Sequence, residues 1–390
     1  MKTELSRLFQ SLPPYPLAGI PEARRRLESE GVDIIDLSAG DADLAPPPAA
    51  VEAIRAAVEN PAMSRYPFNL GLADFREAVA EWMERRFGVE LDPGGELVPL
   101  IGSKDGIAHL PFAFLNPGDG ALIPDPGYQP YRSGVRLAGG EPILVPLEER
   151  NDFLVPLDEL PGEDVERSKL LYLNYPNNPT TAVAPHDYLE DVVAFCHRHG
   201  LLLVYDNAYS EMAFEGYRPP SILEIEGARE VALEFHSVSK TYNMTGWRLG
   251  WAAGSAELVG TLARVKSFVD TGVFLGIQAA GAAALRSWEE WVPSNIRTFQ
   301  NRRDAAVAAL REAGFRVKPP PATMYLWIPV PTGESSLEFC KRALEAEGVI
   351  VLPGSSMGSA GEGFFRVALT TSEARLREAG ARLARVLDHP

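Results

Sequence analysis

Short apolar runs punctuate the middle of this chain. Residues 97–101, 121–123, 142–145, 170–173 and 201–205 are near-continuous in apolar side chains, and a β-rich run through Val231, Ala232, Leu233, Phe235 and Val238 follows them. Several lead into stretches with helical spacing, such as 103–115. Strands that are apolar throughout are covered on both faces, so the alternation predicts a mostly parallel sheet with helices on either side. Ahead of it, the proline-punctuated stretch 12–20 predicts an extended arm, followed by a helix near 21–29, a strand over 34–37 and helices over 49–59 and 72–87. Beyond Arg248 the spacing predicts helices over 256–270, 278–287 and 292–313. The style then changes, with strands over 324–328, 350–352 and 364–368 interleaved with helices over 337–347 and 372–387. This divides the chain into an arm with part of a small domain (1–48), a large α/β domain (49–290) and a small α+β domain (291–390).

Composition narrows the class. With 390 residues, 46% hydrophobic and 23% charged, the chain has enough apolar mass for a large core in an enzyme-sized body. A formal net charge of −16 argues against nucleic acid or an anionic membrane surface as partner, yet leaves room for a small anion gripped by local arginines. Cys196 and Cys340 lie in separate helical segments and read as reduced, buried thiols, not as a disulfide framework or a metal cluster. The sequence contains no apolar run of about eighteen residues, the length that spans a bilayer. Residues 1–10 lack a secretory leader pattern, and a cytoplasmic location is the expectation.

In open α/β sheets ligands bind beyond the carboxyl ends of the strands, so the residues after each predicted strand carry the search for a site. After 97–101 come Gly102, Ser103 and Lys104, opening a helix whose free N–H groups and dipole can seat a phosphate. After 121–123 comes Tyr128, a flat ring able to stack on a pyridine, although a packed turn tyrosine reads the same. After 170–173 comes Asn178, held extended by the proline behind it and able to donate to a phenolic oxygen. After 201–205 come Asp206 and Tyr209, and an acid at the end of a buried strand is costly unless it meets a cation.

Residues 237–251, S-V-S-K-T-Y-N-M-T-G-W-R-L-G-W, carry the most information. Lys240, just past a buried strand, loses its proton more easily than a solvated lysine and can act as a covalent nucleophile. Ser237, Ser239 and Arg248 around it supply the hydroxyls and guanidinium that a phosphate monoester needs. Together these residues point to pyridoxal phosphate on Lys240, with Asp206 keeping the cofactor's ring nitrogen protonated. Rival chemistries lack their patterns: P-loop and dinucleotide fingerprints and the G-x-S-x-G elbow are missing, and His197 and His199 point to different faces of one helix, against a metal site.

At these residues the chain resembles the class I/II aminotransferases, the fold-type I family of pyridoxal phosphate enzymes. The segments 102–111 (G-S-K-D-G-I-A-H-L-P), 173–180 (L-N-Y-P-N-N-P-T) and 234–250 look most like its diaminopimelate and succinyldiaminopimelate aminotransferase branch. The resemblance covers the chain from about residue 12 to its end. It implies a large cofactor domain built on a mostly parallel, seven-stranded type of sheet sandwiched by helices, with a smaller α+β domain. Lys240 is implied to carry the cofactor and to move the proton at the substrate Cα, and Asp206 to pair with the ring nitrogen. Tyr209 and Asn178 would bond the ring's phenolic oxygen, with Asn178 also beside the substrate, and Tyr128 would stack on the ring. Ser103, Lys104 through its backbone N–H, Ser237, Ser239 and Arg248 would hold the phosphate. Arg366 would fork the substrate α-carboxylate, with a backbone N–H from Gly40. Tyr66 would reach the phosphate of a neighbouring subunit, making a homodimer with shared active sites.

The implied reaction moves an amino group between an L-amino acid and a 2-oxo acid, with 2-oxoglutarate and glutamate as one pair. A C–S β-lyase on the same fold and a non-catalytic cofactor-binding regulator are the rivals. Two positions depart from the family pattern: Thr181 stands where a glycine follows N-P-T, and Leu70 stands where the diaminopimelate branch carries an acid.

Overall fold

The computed structural model describes residues 4–10, 12, 20–68, 70–331 and 333–388. Most of the expected arm, 13–19, lies outside the described residues. At the centre is a seven-stranded sheet in the order Leu97–Leu100, Gly250–Gly254, Ala232–Ser237, Leu202–Asp206, Ser168–Leu173, Gly120–Asp125, Glu141–Pro146. From Ala232–Ser237 outward to Glu141–Pro146 every pairing is parallel, so those carboxyl ends open on one edge. Gly120–Asp125, Leu202–Asp206 and Ala232–Ser237 are buried at every position, which is why the first two are apolar up to their terminal aspartates, while Ala232–Ser237 buries Glu234 and His236 as a pair 3.0 Å apart.

Alternate residues of these strands enter two different apolar layers, as the strand period requires. Leu171 and Leu203 pack with Phe75, Val79 and Trp82 of Ala73–Phe87 and with Leu189 of His186–His199. Leu170 and Val204 pack on the other face with Ile107, Tyr131 and Val259. Full burial of such a side chain is worth roughly 1.5–3 kcal/mol, so the sheet is rigid where its ends carry chemistry.

The structure corrects the sequence reading at three places. Gly250–Gly254 is a strand antiparallel to both neighbours, and its small residues had given no β signal. A side chain at Gly250 would collide with the His236 carbonyl and come within 2.8 Å of the Ser103 amide, so the strand can pass here only as glycine. Residues 103–115 form two helices, Ser103–His109 and Pro111–Phe114, because Pro111 has no N–H to continue the first. Residues 350–352 split between two sheets: Val349–Ile350 pairs parallel with Ile35–Asp36, whereas Leu352–Pro353 pairs with Phe364–Ala368.

A second apolar cluster joins Ile35 and Leu37 to Phe299, Phe339, Phe365 and Leu383. Its sheet has the order Leu352–Pro353, Phe364–Ala368, Tyr325–Pro329, with antiparallel pairings. The helix Trp288–Glu312 runs from one cluster into the other, with Val292 in the first and Phe299 and Leu310 in the second. Between the two bodies, the Gly127 amide donates to the Met357 carbonyl at 3.0 Å and the Gln129 amide donates to Ser356 O at 3.1 Å. No described helix is long and apolar enough to cross a membrane.

Candidate active site

A cavity of about 420 Å³ opens at the carboxyl ends of the parallel strands, roofed by residues of the smaller body. It is lined by Gly40, Ser103, Lys104, Tyr128, Asn178, Asp206, Tyr209, Ser237, Ser239, Lys240, Arg248 and Arg366. Every site residue named from the sequence is therefore gathered there except Tyr66. Tyr66 is 71% exposed, beside Phe68 with ring centroids 5.2 Å apart, and takes no part in its own chain's cavity.

Asp206 ends its strand in a fully enclosed position, 4% exposed. Tyr131 donates its hydroxyl to Oδ2 at 2.7 Å, while Oδ1 has no partner among the described residues. Burial pushes this carboxyl up to about 6, against the opposing pull of Tyr131, the Ala208 amide, His236 and Lys240. Leaving a buried carboxylate oxygen without a donor is costly, and a protonated ring nitrogen is the kind of group that satisfies it.

Lys240 lies in the short helix Val238–Thr241 immediately after the Ala232–Ser237 strand, half-buried, with Nζ donating to the Gly40 carbonyl. The Ser237 hydroxyl caps that helix by accepting the Ser239 N–H at 3.1 Å. Arg248 adopts a left-handed φ of 55° and donates through Nη1 to Thr245 O at 2.8 Å. Its guanidinium lies against Gly102, where any Cβ would sit 2.5 Å from Nη2 and where φ is 73°. The hydroxyl residues Ser103, Ser237 and Ser239 and the Arg248 guanidinium line one end of the cavity, a donor set suited to an anion, with Gly102 and Gly250 allowing their close approach. The chemistry of this set fits pyridoxal phosphate: a cationic cradle at one end, an orphaned buried carboxylate at the other, and a lysine between them.

Another side of the cavity is built by Arg366 and Asn178. Arg366 is 6% exposed and donates through Nη1 to Asn178 Oδ1 and through Nη2 to Ser38 O, both at 2.6 Å. Its Nε has no partner among the described residues, and each Nη keeps a second N–H, so donors remain for a carboxylate. Since Asn178 Oδ1 is taken, its amide nitrogen is the end that can donate to a ligand. Asn174 fixes this loop: its Nδ2 donates to Asp206 O at 2.7 Å and its Oδ1 accepts the Asn178 N–H at 2.8 Å. Tyr209 brings its hydroxyl 3.2 Å from that of Tyr325, and Tyr128 stands edge-on to Tyr131 at 5.7 Å.

Sequence reasoning missed Asn174, Tyr131 and Tyr325. Asn174 directly follows a predicted strand and obeyed the same rule that found Asp206. Tyr131 sits in the Gln129–Leu137 helix and Tyr325 in the smaller body, where no strand-end logic applies. Away from the cavity, Asp105, His109 and Asp270 cluster, but the buried Lys266 amine binds both Asp105 and Asp270 and occupies the place a cation would take.

Fold and site together define a pyridoxal phosphate-dependent enzyme of the aminotransferase type. Residues 32–383 match the family described as aminotransferase class I and II, and the chain belongs to that family. It is 49% identical over 378 residues to an LL-diaminopimelate aminotransferase of Desulforudis audaxviator, covering 97% of this chain and 96% of that one. Among solved structures it superposes with a TM-score of 0.91 and 39% identity on a probable N-succinyldiaminopimelate aminotransferase from Thermus thermophilus, covering 95% of this chain and 100% of that one. A Thermus thermophilus aspartate aminotransferase mutant gives a TM-score of 0.92 at 31% identity, covering 98% and 100%. The protein is a transaminase that uses pyridoxal phosphate, and this reading prevails over the lyase and regulator alternatives.

Proposed function

We propose that the amino donor is LL-diaminopimelate and that 2-oxoglutarate accepts the amino group, giving glutamate. The observation that carries this is the identity with LL-diaminopimelate aminotransferases over nearly the whole chain, 49% to the Desulforudis relative and 47% to one of Moorella thermoacetica. A panel of amino donors against 2-oxoglutarate on the purified protein tests it. LL-diaminopimelate should give the highest kcat/KM, and a clear preference for an aromatic or a monocarboxylic donor would overturn it.

Bound pyridoxal phosphate supplies an electron-withdrawing ring that stabilises the charge left when the Cα–H bond breaks. Asp206 would hold the ring's N–H from its buried site, while Tyr209 and the free amide of Asn178 would donate to its phenolic oxygen. Tyr128 would cover the ring, and Ser103, the Lys104 N–H, Ser237, Ser239 and Arg248 would hold the phosphate. Arg366, anchored by Asn178 and Ser38, grips the α-carboxylate, and Gly40 adds a backbone N–H. That grip would fix how the substrate Cα is presented to Lys240. Lys240 removes and returns the Cα proton, and its contact with Gly40 O keeps it on the substrate side.

We also propose a cytoplasmic homodimer in which Tyr66 reaches the partner's phosphate. Support comes from the exposed ring of Tyr66 and from exposed Phe68 and Phe268 near a groove shared by Pro67, Leu70, Ser267 and Gly272. Cys196 and Cys340, both buried free thiols, accord with a reducing compartment. The division at 48 and 290 into arm, cofactor domain and small domain is supported by the two apolar clusters, which meet along Trp288–Glu312.

A further inference from the structure

Tyr325 touches both halves of the site while none of the roles above belongs to it. It begins the Tyr325–Pro329 strand and is 2% exposed. The Arg366 guanidinium lies over its ring, with Cζ 4.1 Å from the centroid. Its hydroxyl is 3.2 Å from that of Tyr209, and the two rings meet at 69°. The same hydroxyl abuts Gly40, where any Cβ would overlap it, and the Gly40 carbonyl is the acceptor for Lys240. A single phenol thus adjoins the substrate arginine, the cofactor-side tyrosine and the lysine's acceptor.

We propose that Tyr325 is a positioning residue for transamination, donating its hydroxyl to Tyr209 so that Tyr209 donates onward to the cofactor, and seating Arg366 on its ring face to meet the substrate carboxylate. The first half rests on the role given to Tyr209 above. A hydroxyl that spends its proton on a ligand is best supported by a donor to its own oxygen, and Tyr325 stands where that donor is needed. The surrounding charges favour this direction. Burial raises both phenols, and at Tyr325 the nearby Lys240 and Arg366 cations oppose it, drawing charge from its hydroxyl oxygen. Cations beside a phenol strengthen its O–H as a donor, and a chain of hydrogen bonds polarises its members. On the other side, a desolvated guanidinium over an aromatic face is held by the ring's charge distribution. With the Asn178 and Ser38 bonds, the ring fixes the guanidinium plane.

Three variants separate the two halves: Tyr325→Phe, Tyr325→Leu and Tyr209→Phe, each loaded with pyridoxal phosphate. The visible absorbance of the loaded protein is titrated with pH, and kcat and KM are measured separately. Tyr209→Phe should move the spectral midpoint upward, because a donor to the phenolic oxygen is lost. Tyr325→Phe should move it the same way by a smaller amount, about 0.3–0.5 pH unit, with KM within about two-fold of the parent. Tyr325→Leu should raise KM for both substrates about ten-fold, with a smaller effect on kcat, and the ring of Tyr325→Phe restores it. A midpoint unmoved in Tyr325→Phe but moved in Tyr209→Phe would overturn the relay. A parental KM in Tyr325→Leu would overturn the seating of Arg366. If Tyr209→Phe itself leaves the midpoint in place, the role of Tyr209 fails, and the relay with it. Tyr325→Phe keeps the packed volume, so its result does not depend on whether the leucine variant folds well.

Discussion

Asp206 shows how one residue sets function against stability. Its carboxyl stands at about 6 in the folded chain, raised chiefly by burial from an ordinary 3.8. Between those values the folded form binds the proton more tightly than the unfolded form. Stability of the cofactor-free protein therefore falls as pH rises through that window, and the cost is complete above about pH 6. Asp206→Asn should remove that cost, stabilising the cofactor-free protein at pH 7–8 by on the order of 2–3 kcal/mol and leaving it near the parent at about pH 4. With cofactor the order reverses: the amide cannot hold the ring proton, so affinity and turnover drop. Chemical denaturation at the two pH values checks this, and equal stabilities at pH 8 would contradict it. Thr181 is a second case. The glycine expected after N-P-T is a threonine, and the structure holds it at a left-handed φ of 63°, with its N–H on Asn177 O at 3.0 Å. A β-branched residue is strained there, so Thr181→Gly should raise the urea midpoint by about 1 kcal/mol in stability, even after the flexibility that glycine adds to the unfolded chain. A lower midpoint would contradict this. Lys240, Asp206 and Asn178 were legible because each follows a buried strand. Tyr131 and Tyr325 were not, because a tyrosine inside a helix or a second sheet carries no local mark of the site residue it touches.

Among the elements, most of the parallel strands announced themselves through apolar runs, a consequence of burial on both faces in the middle of the sheet. Gly250–Gly254 did not, since its G-W-A-A-G sequence owes its β form to pairing with two neighbours and not to propensity. The smallness that hid this strand is also what the site needs. Gly250 lets the strand pass the Gly102–Ser103 turn, and that turn lies against the Arg248 guanidinium, where the proposed phosphate site is. Gly250→Ala should push this turn outward, destabilise the fold by about 1–3 kcal/mol and weaken cofactor binding about ten-fold. Calorimetry on the cofactor-free protein and equilibrium binding of pyridoxal phosphate measure the two effects. Parental values in both would show that the close approach relaxes freely.

For the whole molecule, the division into two bodies was legible because the strand-helix style changes beyond residue 313, while their docking was not. Contacts such as Gly127 N–H to Met357 O link backbone atoms, which leave no trace in side-chain pattern. The assembly has a test of its own. A Lys240→Ala chain mixed with a Tyr66→Phe chain places both lesions in one site of a heterodimer and leaves the other site whole, so activity should partly recover on subunit exchange. Full activity in a monomer would end the shared-site proposal. The central claim is that this chain is a transaminase whose cofactor is carried by Lys240, and borohydride reduction of the loaded protein followed by peptide mapping tests it most directly. The cofactor should be fixed to the peptide containing Lys240, and Lys240→Ala should carry no label and show no turnover. Label on Lys104 or Lys266, or turnover surviving in Lys240→Ala, would contradict the account.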